Sequence, residues 1–263
     1  MYIVEKPEGQ TPLETLEQLR LDESIDESVP MTYAGRLDPM AEGLLLILVG
    51  DECKKKDEYL GLDKEYDVGV LLEVWSDTGD VLGMIENEKN PSTGLLEVNF
   101  TAENIKMKLA ELVGKRTEKY PAFSSKPING KPMFMHAKDG SLADMNEDEI
   151  PQKEIEIYSI DFLGMESVGK NKLIETAIER IKKVNGDFRQ TEIIKSWQEL
   201  GLDVIDNKRS DQFLIIKLHV KSSSGAYMRT LSQKLGESLG TKALAWKIRR
   251  TKVGNFSLET KSF

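Results

Sequence analysis

The sequence predicts an α+β protein in which helices flank a large mixed or antiparallel sheet. Two observations carry that prediction. Four segments have strand character, at 44–49, 66–75, 154–162 and 213–220, and capped or amphipathic helical segments separate them. The chain also lacks internal repeats and low-complexity tracts, so its elements belong to a globular fold rather than a solenoid.

Taken in order, Thr11-Pro12-Leu13-Glu14 forms a capping box with proline at the first helical position, and it opens a helix to about Arg20. The apolar run Leu44–Val49, bounded by Gly43 and Gly50, reads as a buried strand. Tyr66–Trp75 places Val68, Val70, Leu72 and Val74 on one strand face. Ala102–Val113 has helical spacing through Ile105, Leu109, Leu112 and Val113 and stops at Gly114. Glu154–Phe162 alternates Ile155, Ile157 and Ser159 with polar neighbours, and Phe213–Val220 is a further strand. Gly225–Leu239 carries the stripe Met228, Leu231, Leu235 and Leu239, with Gly240 as its stop. Between the last two strands, about 168–210 reads as a helical hairpin. Its first helix is Leu173–Val184, through Ile174, Ala177, Ile178, Ile181 and Val184. The second is Thr191–Leu200, with Ile193, Ile194, Trp197 and Leu200 inward, and Asn185-Gly186-Asp187 makes the turn.

With 39% hydrophobic and 31% charged residues, the 263-residue chain has an ordinary globular balance and can bury one large core or two modest ones. Cys53 is the sole cysteine, so no intrachain disulfide forms, and His136 and His219 are too few for a zinc cluster. A reducing, cytoplasmic setting is expected. The N-terminus has no signal pattern, and Leu44–Val49 is far shorter than the roughly 20 residues of a membrane span. The net charge of −9 opposes nucleic-acid binding as a sum but not as a distribution. Lys115 to Lys138 holds six Lys/Arg against Glu118, and Phe213 to Gly254 holds nine against Glu237, while acid gathers in Glu14–Glu27 and Asp144–Glu156. Charge runs of this kind are usually solvated surface.

The stretch Gly35-Arg36-Leu37-Asp38-Pro39-Met40-Ala41-Glu42-Gly43 sets one carboxylate at the lip of the Leu44–Val49 strand. Proline pushes Asp38 toward extended geometry, and on residue chemistry alone a turn is the commoner reading. The stretch resembles the catalytic Gly-x-Leu-Asp-Pro motif of the TruB family of pseudouridine synthases. Further segments resemble that family in order: Lys6-Pro7-Glu8-Gly9; Lys64-Glu65-Tyr66 with Asp77-Thr78-Gly79-Asp80; Pro121-Ala122-Phe123-Ser124-Ser125-Lys126 with Gly130, Phe134, Ala137, Lys138 and Gly140; Gly225-Ala226-Tyr227-Met228-Arg229-Thr230-Leu231; and Ile248-Arg249-Arg250. Together they cover nearly the whole chain. The resemblance implies the pseudouridine-synthase fold, one catalytic domain over 1–263 with an RNA-gripping loop at about 115–140, and the hairpin at 168–210 as an insertion. Both basic segments then coincide with RNA-contacting segments of the family.

The implied reaction detaches uracil from ribose, rotates it and rejoins it through carbon 5, and it requires no cofactor and no metal. Asp38 suits it as a carboxylate acting at the sugar, either as nucleophile at the anomeric carbon or as base at the ribose 2′ position. A carboxylate kept ionised away from water needs a fixed cation, and Arg229, on the family's arginine position, is expected to form an ion pair with it. Tyr66 matches the tyrosine that stacks on the base, and Ile248 the apolar residue on the ring's other side. Lys6 and Pro7 read as pocket supports. The matched motifs assign RNA contacts to Tyr33, Arg36, Lys126, Tyr227 and Arg249. Tyr33-Ala34-Gly35 stands where many bacterial members have His-Thr-Gly, so stacking on bases is retained and histidine-specific hydrogen bonding is not. Phe263 follows soon after Arg250, so the C-terminal RNA-binding domain of many members is not expected. The expected partner is the T-arm of tRNA, with uridine 55 as target, acted on by a monomer without an obligatory protein partner or membrane. A TruB-like enzyme for another RNA and a non-catalytic tRNA-folding chaperone are the alternative readings. The hairpin's apolar stripes predict a packing element, and its cations, Arg180, Lys182 and Lys183 among them, a second use in extending the RNA-binding face.

Overall fold

The computed structural model describes residues 1–85, 100–200 and 212–258. Strand β1 (Tyr2–Lys6) leads to helix α1 (Pro12–Asp22), where the Thr11 hydroxyl accepts from the Glu14 amide and the Glu14 carboxylate from the Thr11 amide, completing the predicted capping box. There follow β2 (Met31–Ala34), β3 (Ala41–Val49), α2 (Lys56–Leu60), β4 (Lys64–Leu72), α3 (Ala102–Glu111) and β5 (Gly114–Lys119). A small hairpin, β6 (Pro127–Ile128) and β7 (Lys131–Pro132), precedes α4 (Met133–Lys138). The chain continues through β8 (Gln152–Gly169), α5 (Lys170–Ile181), α6 (Gln190–Leu200), β9 (Gln212–Ser222), α7 (Met228–Ser238), β10 (Ala243–Val253) and β11 (Phe256–Ser257).

The main sheet runs β1-β3-β10-β4-β9-β8-β5, with β2 beside β3 and β11 beside β10. Its pairs are antiparallel except β3 with β10, so the sheet is mixed. Successive side chains of a strand face opposite sides, and the core divides accordingly. On one side Val68, Val70 and Leu72 of β4 meet α3 through Ile105 and Leu109 and α7 through Met228, Leu231 and Leu235. On the other, Leu71, Ile215 and Leu244 meet α5 and α6 through Leu173, Ala177, Ile181, Ile193 and Trp197.

Several boundaries differ from the expected ones for local reasons. β4 ends at Leu72 because Glu73 has φ +65°, with its amide donating to the Lys242 carbonyl at 2.8 Å. That break sends Val74 into the α5–α6 core instead of alongside Leu72. β8 is twice the expected length, and register shifts near Ile157 and Phe162 interrupt the alternation that would have shown it. Helix α7 starts at Met228, since Gly225 has φ +91° and Tyr227 is extended. Val113 is exposed and outside α3. The hairpin at 168–210 is present as α5 and α6, with Trp197 Nε1 donating to the Val81 carbonyl at 3.1 Å; its residues 201–210, including Lys208 and Arg209, lie outside the described residues. The first helix's inward stripe is Leu173, Ala177, Ile181 and Val184, so Ile174 and Ile178 flank it rather than form it.

Candidate active site

Asp38 sits in the short connection between β2 and β3, and its backbone is held from both sides. Lys6 Nζ, wholly buried, donates to the carbonyls of Pro7 (3.0 Å), Gln10 (2.6 Å) and Pro39 (3.4 Å), and the Gly9 amide donates to Pro39 at 2.9 Å. Burial lowers the Lys6 ammonium to about 8, against the raising influence of Asp38 and nearby glutamates. From the other side Arg250, 1% exposed, donates to the carbonyls of Leu44 (2.8 Å), Arg36 (3.2 Å) and Gly35 (3.2 Å). Gly43 is required here. It has φ +105°, and a Cβ would fall 2.3 Å from the Arg250 carbonyl oxygen.

The ion pair expected from the sequence is present. Arg229 Nε donates to Asp38 Oδ2 at 2.8 Å, Nη1 to the Thr78 carbonyl at 2.7 Å and Nη2 to the Phe123 carbonyl at 3.1 Å. The arginine side chain is 3% exposed while that of Asp38 is 37% exposed, so the carboxylate stays reachable and its cation does not. A second carboxylate, Asp80, lies 4.0 Å from Arg229 Nε and is itself buried. Its Oδ1 accepts from Thr78 Oγ1 at 2.8 Å and from the Leu82 amide at 2.9 Å. Burial pushes the Asp80 carboxyl up to about 6, the negative charge of Asp38 adds to that, and Arg229 opposes it. One guanidinium thus serves two carboxylates in unequal surroundings.

Tyr66 is buried on β4 directly opposite Arg250 on β10. Burial raises the Tyr66 hydroxyl above its ordinary range. Ile248 shares that face of β10, opposite Val68 and Ala41. Tyr227 caps α7 with its ring 5.7 Å from the Arg229 guanidinium and edge-on to Tyr120 at 6.1 Å, and burial pushes its hydroxyl up to about 12. Lys126 is exposed, 5.3 Å over the Tyr120 ring; burial first, and then the Lys126 charge, lower the ammonium of the half-buried Lys153, whose Nζ donates to Ser224 Oγ. Arg36 is exposed and donates to Ser125 Oγ.

Other assigned residues stand elsewhere. Arg249 points to the sheet face opposite Ile248, where it pairs with Glu5 at 2.7 Å and Glu42 at 3.5 Å, so it is not brought to the Asp38 group. Tyr33 is half-buried among Leu16, Leu45 and Ile47 with Lys56 Nζ 5.7 Å over its ring. Pro7 is exposed and contributes its carbonyl. Asp80 and Arg250 were missed by sequence reasoning. Both stood in quoted motifs, and period-two alternation from Ile248 would have chosen Arg250 over Arg249 as the inward residue.

The two basic segments are extensively neutralised. Arg116 and Lys234 both pair with Glu118, at 2.6 and 2.8 Å, and Lys221 and Lys252 with Glu65, at 3.7 and 3.5 Å. Arg180 of the hairpin is buried against Glu8 at 2.7 Å and 4.8 Å from the Trp246 ring, so it is a packing residue and not an exposed phosphate ligand. Among the described residues no cluster suited to a metal ion occurs, and no helix is long and apolar enough to cross a membrane.

Comparison with known proteins places this geometry. Residues 28–184 match the family described as TruB family pseudouridylate synthase (N terminal domain). Proteins named tRNA pseudouridine synthase B match along the chain: one from Aromatoleum aromaticum is 26% identical over 98% of this chain and 64% of its own length. Another, from Thermosipho melanesiensis, is 28% identical over 96% of this chain and 63% of its own. The chain therefore spans a little under two thirds of these curated relatives. Among solved structures, a Cbf5-Nop10-Gar1 complex aligns over 98% of this chain and 50% of the matched chain, with a TM-score of 0.55 at 15% identity. An H/ACA RNP bound to a substrate RNA containing 2'-deoxyuridine aligns over 98% and 49%, at 0.53 and 14%. These two show a shared fold.

Proposed function

Because the chain belongs to the TruB family of pseudouridylate synthases, we propose that it converts a uridine of tRNA, uridine 55 of the T-loop, to pseudouridine, with Asp38 as the reacting group. The observation that carries this reading is the Asp38–Arg229 pair, an accessible carboxylate on a buried, fully engaged guanidinium. Such a carboxylate has an orientation fixed before substrate arrives, which is where positioning saves most of its cost.

A uridine turned out of its stack enters beside Asp38, with its ring against Tyr66 and Ile248. Asp38 then acts on the ribose, either forming a bond to the anomeric carbon as the glycosidic bond breaks or taking the 2′ proton so that uracil leaves from a glycal. In both routes uracil departs with the bonding electron pair, turns, and bonds through carbon 5 to the anomeric carbon, displacing the Asp38 carboxylate in the first route and, in the second, with Asp38 returning the proton to the 2′ carbon. The carbon-5 proton is lost and N1 gains one, so product and substrate are isomers. Lys126 and Lys153, near Tyr120 and Tyr227, supply positive charge for the RNA backbone. The enzyme acts without cofactor or protein partner, in the cytoplasm.

A tRNA transcript incubated with the protein, followed by mapping of pseudouridine, tests this. Conversion at uridine 55 is the expected result. Conversion confined to another RNA, or tight tRNA binding without conversion, would replace it with one of the two alternatives.

A further inference from the structure

Arg189 lies in the turn between α5 and α6, remote in sequence from every motif above. Its guanidinium nevertheless pairs with Asp77 Oδ2 at 2.9 Å and stacks 5.0 Å from the centre of the Phe123 ring. Those are the two segments whose carbonyls, Thr78 and Phe123, accept from Arg229. Two arginines therefore grip the same pair of segments, and only one of them touches Asp38. The turn that carries Arg189 is itself fixed: Gln190 Nε2 donates to the carbonyls of Val184 at 3.0 Å and Gly186 at 2.8 Å, and its Oε1 accepts from the Phe188 amide at 2.9 Å. Arg189 holds φ at +62°, a conformation disfavoured for a side-chain-bearing residue and kept only where surroundings impose it. A second tie runs alongside, for Lys138 Nζ donates to the Asp187 carbonyl at 3.2 Å and lies 5.8 Å over the Phe188 ring.

We propose that Arg189 is a positioning residue: through Asp77 and Phe123 the α5–α6 hairpin clamps the Asp77–Asp80 turn and the 121–138 segment onto Arg229, and so fixes the orientation of Asp38. This rests on the reading of Asp38 as the reacting group. The clamp gives the hairpin a part in the site although its core faces the other side of the sheet.

The test compares the parent with Arg189→Met and Arg189→Lys. Two quantities are read: hydrogen exchange of the Met133 and Phe134 amides, which donate to Lys126 and Ser124 carbonyls, and the single-turnover rate of pseudouridine formation at saturating tRNA. Arg189→Met should speed exchange over 121–138 and slow turnover, each about tenfold, from loss of a half-exposed ion pair and a cation–ring contact. Exchange in β4, β9 and β10 should stay at the parent's level, which separates the clamp from a general loss of stability. Arg189→Lys, which keeps the charge but not the flat stacking, should fall between. Unaltered exchange over 121–138, or faster exchange with an unaltered turnover rate, would overturn the proposal. If the parent forms no pseudouridine, the function reading falls, and local exchange alone then judges the clamp.

Discussion

Replacing Asp80 by asparagine removes one of two carboxylates that share a single buried cation. The Asp80 carboxyl ionises near 6 in the folded protein, against 3.8 for an ordinary aspartate. That is about 2 units, or about 3 kcal/mol at about 1.4 kcal/mol per unit. Because the folded value is raised, the group contributes stability fully below about pH 4, and the contribution is lost as pH climbs through about 6. Asparagine resembles the protonated carboxyl and keeps an Oδ1 for Thr78 Oγ1 and the Leu82 amide. Stability of Asp80→Asn relative to the parent should therefore grow by about 3 kcal/mol between pH 4 and pH 7. For a chain of this size that is a relative rise in Tm of roughly 6–12 °C. Thermal unfolding of both proteins across that range measures it, and taking the difference cancels the other titrating groups. Turnover should fall in the same variant, since Arg229 loses a second anchor 4.0 Å away. A Tm difference that stays flat from pH 4 to pH 7 would refute the reasoning.

Arg229→Leu should abolish turnover while largely sparing RNA binding and should cost about 3–5 kcal/mol, because it strands Asp80, Asp38 and two carbonyls; single-turnover kinetics, filter binding and urea unfolding check the three parts. Arg180→Met should cost about 1–3 kcal/mol by leaving the largely buried Glu8 with Lys183 alone, at 3.5 Å, Glu8→Gln in addition should recover most of it, and the salt dependence of tRNA binding should not move. A flattened salt slope would instead restore Arg180 as a phosphate ligand. Gly43→Ala should lose at least about 2 kcal/mol in denaturant unfolding, since its new methyl meets the Arg250 backbone and its φ is positive.

Much of this arrangement was legible in the sequence because it is local. The capping box at Thr11, the stripe Met228-Leu231-Leu235 and the end at Gly240 follow from spacing and backbone freedom, whereas Gly43, expected to bound the strand, lies inside β3, which begins at Ala41. The Asp38–Arg229 pair was reachable because a carboxylate and an arginine stood in matching motifs, 191 residues apart. What stayed hidden depends on tertiary contact. Arg180 reads as one more surface cation until Glu8 and Trp246 surround it, and Arg189 reads as a loop residue until Phe123 and Asp77 arrive from distant segments. The choice between Arg249 and Arg250 was legible from strand parity, because β10 runs without a register shift from Ile248 to Arg250 and so puts Arg250 on the Ile248 face.

The central claim is that Asp38 performs the chemistry on a uridine of tRNA, and Asp38→Asn tests it most directly. Asparagine keeps the shape of the side chain and cannot act as an anionic nucleophile or base. With equal amounts of parent and variant on a tRNA transcript, pseudouridine should appear at uridine 55 with the parent and not with the variant, while both bind the transcript with similar Kd. Conversion by Asp38→Asn at a rate near the parent's would contradict the account.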